Sequence, residues 1–298
     1  MELRHLRYFV RAAELLHFTR AAESLYVSQP TLSSHIQQLE EELGSPLFDR
    51  LGRRVRLTEA GQLLLDHARN AIREVELGKE RIAELLGLLR GTLRVGTTQV
   101  FSHYLVPISL AAYIAAYPDI HVLVQWGTSP EVERSVLAGT VDLGLAFLPP
   151  DSDEIEYEVL LSDEVVLVVS NKHPLAAREA VSVSELGGLP LVLLSTGLST
   201  RRLVDTRFAK ENISPNILLE TNDIPAVLTI AETGSAGTFV SRRLVVSHPD
   251  LHPLSLSPSL VRSAGILRRK GIHLSAAARA FLEVIKVHCQ NIELRGGS

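Results

Sequence analysis

Two sets of polar residues have types and spacing that could do chemistry. The first is a run of short donors and acceptors, Gln29, Pro30, Thr31, Ser33, Ser34 and Gln37, followed by a cluster of arginines at Arg50, Arg53 and Arg54. Hydroxyls and amides on one helix face suit the base edges of a DNA major groove, and arginine suits phosphate. The second set is Thr97-Thr98, Thr128-Ser129 and Ser195-Thr196, with Thr200, Arg201 and Asn222 nearby and Phe147 as an apolar wall. Hydroxyls that follow strands and precede helices suit a small anion, with Arg201 as the charge close to these loops. Ser and Thr are equally ordinary helix caps, so their recurrence carries the expectation of a shared pocket. The motifs of catalysis are missing: there is no phosphate-binding Walker loop, no His-Glu-x-x-His and no nucleophile elbow. The eleven histidines are scattered, and the lone Cys289 allows neither an intrachain disulfide nor a cysteine metal site. The expectation is a binding protein without catalytic residues, metal or cofactor.

The first set needs helices to present it. Leu3, Leu6, Phe9, Val10, Ala13 and Leu16 recur at helical spacing, predicting a helix over 3–16. Thr19 is placed to cap a short helix ending near Tyr26, whose Ala21-Ala22 pair permits a close crossing. Pro30 is tolerated only in a first turn, so a third helix begins near Gln29 and runs to Leu43. Leu32, Ile36, Leu39 and Leu43 form its buried seam; the opposite face, including His35, has no acid before Glu40. A solvated face is the alternative, but such faces usually alternate Glu and Lys. Residues 46–58 read as a small hairpin wing that closes a DNA-binding domain over 1–58.

Leu64, Ala68, Ala71, Val75, Gly78, Ile82, Leu85 and Leu89 follow at alternating four- and three-residue steps. This heptad seam predicts a linker and dimerisation helix over 59–90, capped at Arg90-Gly91, the alternative being a helix folded back on its own domain. From residue 91 to 298 strand and helix patterns alternate as in an α/β effector domain with a mainly parallel sheet. Two lobes are expected, lobe I over 91–162 and 268–298 and lobe II over 163–267, with a cleft between them for a small molecule.

Length and composition bound these readings. At ~100–200 residues per domain the chain should hold two or three domains. With 46% hydrophobic and 21% charged residues it can bury a core. The net charge of −4 excludes a global basic field, so nucleic acid must be held by a local surface. No uninterrupted apolar run approaches ~18 residues, and Met1-Glu2-Leu3-Arg4-His5 lacks the form of a leader. These features predict a cytoplasmic chain with no membrane partner.

The strings Phe18-Thr19-Arg20-Ala21-Ala22, Leu25 to Ser33, Ile36-Gln37-Gln38-Leu39-Glu40, Leu43-Gly44 and Pro46-Leu47-Phe48-Asp49-Arg50 resemble the winged helix-turn-helix of LysR-type transcriptional regulators. Val141-Asp142-Leu143-Gly144-Leu145 and Asn171-Lys172-His173-Pro174-Leu175 extend the resemblance through a periplasmic-binding-protein-like α/β domain. More narrowly, Phe101 to Tyr104, Gly144 to Phe147 and Leu191 to Ser195 are similar to regulators of the cyanate-utilisation operon. The resemblance implies double-stranded operator DNA, a small-molecule effector, a homodimer that can pair into a tetramer, and RNA polymerase as partners. Gly234 to Val240 departs from the family's usual Leu-Pro continuation.

Overall fold

The computed structural model describes residues 1–51, 54–85 and 90–296, with side chains over the same ranges except at 50, 51, 54, 80, 83–85 and 293–296. Arg53 and Leu89 of the expected sites lie outside the described residues, as do the side chains of Arg50, Arg54 and Leu85. The chain forms two compact units, one over Met1–Arg90 and one over Gly91–Leu137 and Val141–Ser298.

The first unit holds α1 (Leu3–Leu15), α2 (Phe18–Ser24), α3 (Gln29–Leu43), a hairpin of β1 (Phe48–Leu51) and β2 (Arg54–Leu57), and α4 (Glu59–Leu85). The α2 cap is His17, whose Nδ1 accepts the Arg20 N–H, and not Thr19, which lies inside the helix. Ser28 caps α3 by accepting the Thr31 N–H at 3.2 Å, and Pro30 occupies its first turn. Gly44 ends α3 at φ 68°, a left-handed conformation that costs a residue without Cβ little. The core joins Phe9, Ala12, Ala21, Leu32, Ile36 and Leu39. Phe48 of the hairpin packs edge-on against Phe9 and Phe18 at 5.6 and 5.2 Å.

Helix α4 carries two apolar stripes. Ala68 and Leu65 are buried in this core, with Leu64 and Ile72 packed against it, so the beginning of the helix folds onto its own domain. That corrects the assignment of Leu64 and Ala68 to a free seam. Ala71, Val75, Gly78 and Ile82 are exposed at spacings of four, three and four residues. Among the described residues the helix ends at Leu85, and Gly91 opens the next strand; the residues between Leu85 and the expected cap at Arg90-Gly91 lie outside the described ones. Gly61 sits where α4 meets the hairpin: a Cβ there would lie 2.1 Å from the Leu47 carbonyl oxygen.

The second unit runs β3 (Gly91–Thr98), α5 (Gln99–Ala116), β4 (Ile120–Gly127), α6 (Ser129–Leu137), β5 (Leu143–Phe147), β6 (Ile155–Ser170), β7 (Ala180–Ser182), β8 (Pro190–Leu194), α7 (Ser199–Lys210), β9 (Asn216–Thr221), α8 (Ile224–Glu232), β10 (Thr238–Ser241), α9 (Arg242–Val245), β11 (Leu251–Ser257), β12 (Leu260–Arg269) and α10 (Ala276–Gly296). The main sheet has the order β4-β3-β5-β12-β6-β11-β7, with β10 also on β6. β3 pairs in parallel with β4 and β5, and β8 with β9. β12 is antiparallel to both β5 and β6, so the sheet is mixed and not mainly parallel. β6 is one long strand that pairs with β12 through its first part and with β10 and β11 through its last. The chain therefore passes from one lobe to the other inside extended strands.

By length and mean hydropathy α5 could span a bilayer, but Phe101, Leu105, Val106 and Tyr113 are core residues of this unit. Its tyrosine hydroxyl at Tyr113 donates to the Ala277 carbonyl at 2.9 Å, fixing α5 to the start of α10. Gly61→Ala is expected to destabilise the first unit by about 1–3 kcal/mol through overpacking, read as an earlier midpoint in denaturant unfolding; an unchanged midpoint would show that the α4–hairpin contact yields freely.

Candidate functional site

The polar face of α3 is built by its buried seam. With Leu32, Ile36 and Leu39 inside, the helical period leaves Gln29, Pro30, Thr31, Ser34 and Gln37 exposed and Ser33 half-buried. The side chains hold one another: Gln29 Nε2 donates to Ser33 Oγ at 2.9 Å, and Gln37 Nε2 to Glu41 at 3.0 Å. His35 turns away from that face, its ring 5.0 Å from His5 and 5.2 Å from Tyr8 on α1. Tyr26, in the turn before α3, is 96% exposed at φ 56°. Sequence reasoning treated it as a helix end, although a polar-tipped aromatic in a turn next to such a helix was a visible signal. Glu40 accepts the Leu47 and Phe48 N–H groups at 2.7 and 3.2 Å, which seats the hairpin beside α3. The hairpin register sets Asp49 opposite Arg56, Arg50 opposite Val55 and Leu51 opposite Arg54.

In the second unit the carboxyl ends of β3 and β4 turn almost directly into α5 and α6, while β8 and β9 lead to α7 and α8 through short loops. These ends surround a cleft. Thr98, Thr128, Ser129, Phe147 and Thr200 line it, together with Gln99 and Ser199, which sequence reasoning missed. Thr98 Oγ1, Ser129 Oγ and Gln99 Oε1 are buried and have no hydrogen-bond partner among the described residues. Thr128 differs: its N–H and hydroxyl both donate to Glu131, at 2.7 and 2.9 Å. The Thr128 backbone bond, then the hydroxyl, holds the Glu131 pKa below the usual carboxylate value.

The other expected members stand apart from the cleft. Thr97 is fully buried and its hydroxyl donates to the Thr98 carbonyl. Ser195, Thr196 and Asn222 do not line it. Arg201 is buried and already engaged, by Asp205 at 2.7 Å, Glu220 at 2.9 Å and the Leu194 carbonyl at 3.0 Å. Burial opposes its charge, but the bonds to Asp205 and Glu220 outweigh that and raise its pKa. It serves α7 and β9 and is not the charge at the cleft.

A charge behind the cleft wall is Arg262 on β12, which does not line the cleft but holds three residues that do. Its Nε donates to Asp163 at 2.9 Å, Nη1 to Ser199 Oγ and Nη2 to Thr200 Oγ1, both at 3.0 Å. Its guanidinium lies 3.3 Å over the centre of the Phe147 ring. Burial pushes its pKa down, against the pull of Asp163. Asp163 is completely buried and also accepts the Ser241 hydroxyl. A single arginine inside the apolar run Leu260 to Leu267 was the signal that could have found it.

A winged helix-turn-helix on one unit and a two-lobed α/β unit with a polar cleft on the other define a DNA-binding regulator that carries a ligand-binding domain. Residues 3–62 match the bacterial regulatory helix-turn-helix proteins of the lysR family, and residues 86–290 match the LysR substrate binding domain. The chain belongs to the LysR family of transcriptional regulators. It is 34% identical to the HTH-type transcriptional regulator YybE of Bacillus subtilis, over 97% of this chain and 99% of that one. Full-length OxyR from Pseudomonas aeruginosa has the same fold at a TM-score of 0.76 and 23% identity, covering 97% of this chain and 95% of that one. Full-length CbnR complexed with its target DNA aligns at a TM-score of 0.66 and 24% identity, over 96% of this chain and 99% of that one.

Arg262→Ala leaves Asp163 buried without its cation, and is expected to cost about 3–5 kcal/mol of stability. Adding Asp163→Asn should restore part of that loss in denaturant unfolding. Additive losses in the double variant would show that the two side chains act independently.

Proposed function

We propose that this regulator binds operator DNA as a homodimer, with dimers able to pair into tetramers, and changes its output when a small polar or anionic metabolite occupies the cleft of the second unit. The observation that carries the ligand reading is the set of buried polar atoms on Thr98, Ser129 and Gln99 that have no partner among the described residues, in a cleft whose Ser199 and Thr200 are held by Arg262. Leaving a buried donor or acceptor unmade is costly, so a ligand that satisfies such atoms is strongly favoured. Neutral donors and a guanidinium already balanced by Asp163 suit a small anion with few atoms. The likeness of three segments to regulators of the cyanate-utilisation operon makes cyanate one anion to test. No metal or redox cofactor enters this reading.

For DNA, the N-terminal half of α3 supplies base contacts through Gln29, Thr31, Ser33 and Ser34, and Arg50, Arg53 and Arg54 contact phosphate or the minor groove. The exposed stripe Ala71, Val75 and Ile82 supports pairing of α4 with a second copy, which would give the twofold symmetry that paired half-sites need. RNA polymerase is the further partner of this reading, and the cytoplasm is its compartment. The metabolite acts by preferring one arrangement of the lobes over another.

Thr98→Val keeps shape and removes a donor. In thermal shift with cyanate, small carboxylates and phosphate monoesters, an anion that stabilises the parent protein is expected to lose its effect in this variant, with operator binding intact. A retained shift would move the site away from the end of β3. Ser33→Ala is expected to cost about 1–3 kcal/mol at the operator and little on random duplex; equal loss on both would make Ser33 a backbone contact.

A further inference from the structure

A second cavity lies between α5, α8 and the α9 segment. Its walls are of two kinds. Ile224, Leu228 and Leu244 are nearly fully buried and, with the Tyr104 ring, give it an apolar floor. Arg243, His103 and His248 stand around it.

The charges there do not cancel. His248 Nδ1 is 2.7 Å from Glu232, so that pair is satisfied within itself. Burial lowers the His103 pKa, against the pull of Asp223. Arg243 donates to the Ser162 carbonyl at 3.2 Å, and among the described residues it forms no ion pair. The Tyr104 hydroxyl is buried and has no hydrogen-bond partner among the described residues; burial and then Asp163 push its pKa up, with Arg243 opposing them. A guanidinium without a counter-ion over an apolar floor is complementary to a molecule with a carboxylate at one end and a hydrocarbon body.

We propose that this cavity is an accessory site for a small amphipathic carboxylate, held through its carboxylate by Arg243 and through its apolar body by Leu228, Leu244 and Tyr104. The cavity is separate from the cleft described above, since Thr98, Ser129 and Arg262 take no part in it. The two are nevertheless neighbours: Ile224, at the start of α8, lines both. A ligand here also touches α5, which follows β3, and α8, which follows β9. It therefore bridges elements of both lobes, and its occupancy couples to the cleft through α8.

The test uses the full chain, with phenylacetate as probe and phenylacetamide as its neutral counterpart, in isothermal titration. Phenylacetate is expected to bind, and phenylacetamide to bind at least about tenfold more weakly, because only the acid meets Arg243. Arg243→Gln should lose about tenfold in phenylacetate affinity. Leu228→Trp, which fills the cavity, should abolish binding, and Thr98→Val should leave it unchanged. Arg243 is partly exposed and makes no ion pair, so its variant should fold, as an unchanged melting curve would show. No phenylacetate binding by the parent protein up to about 10 mM overturns the proposal. So does equal affinity for acid and amide, or binding that Arg243→Gln leaves intact and Thr98→Val removes.

Discussion

Arg262 and Asp163 face each other as cross-strand neighbours on β12 and β6, the strands that run through both lobes of the second unit. Burying a guanidinium is tolerable only if its charge is matched and its donors are filled, and here each requirement recruits a different part of the fold. Asp163 supplies the charge, Ser199 and Thr200 bring the start of α7, and Phe147 places the end of β5 under the planar face. Asp163 in turn holds Ser241 at the end of β10. The walls of the cleft are thus fixed by one side chain whose removal would release several of them together.

In the first unit a carboxylate does comparable work at smaller cost. Glu40 stands on α3 and takes two N–H groups from the chain entering the hairpin, groups that would otherwise lack partners. The hairpin is then located by α3 itself, and Phe48 completes the attachment by packing on Phe9 and Phe18. A helix and a wing that are to meet one duplex need a fixed mutual position, and this contact supplies it.

Much of this was legible in the sequence where local rules dominate. Pro30 and Gly44 bound α3, the one because its ring fixes φ and lacks an N–H, the other because it takes the left-handed turn of a helix end at little cost, and the seam Leu32, Ile36, Leu39 sets its inward face. The hydroxyls at the ends of β3 and β4 were legible for the same reason, since they fall where a strand turns into a helix. What was not legible depends on long-range partners. Leu64 and Ala68 satisfy a heptad and a domain core equally well, and only the fold decides between them. Arg201 sits in the right stretch of chain but is neutralised by Asp205 and by the distant Glu220, whereas Arg262 acts from far along the chain. The strands β10, β11 and β12 went unread because antiparallel pairing on β6 comes from segments that no local pattern joins.

The bond from Gln29 to Ser33 lies on the polar face of α3. It holds two side chains of that face in fixed rotamers before anything meets them. Fewer side-chain conformations then remain to be frozen when the face docks, so part of the ordering cost of contact is already met inside the helix.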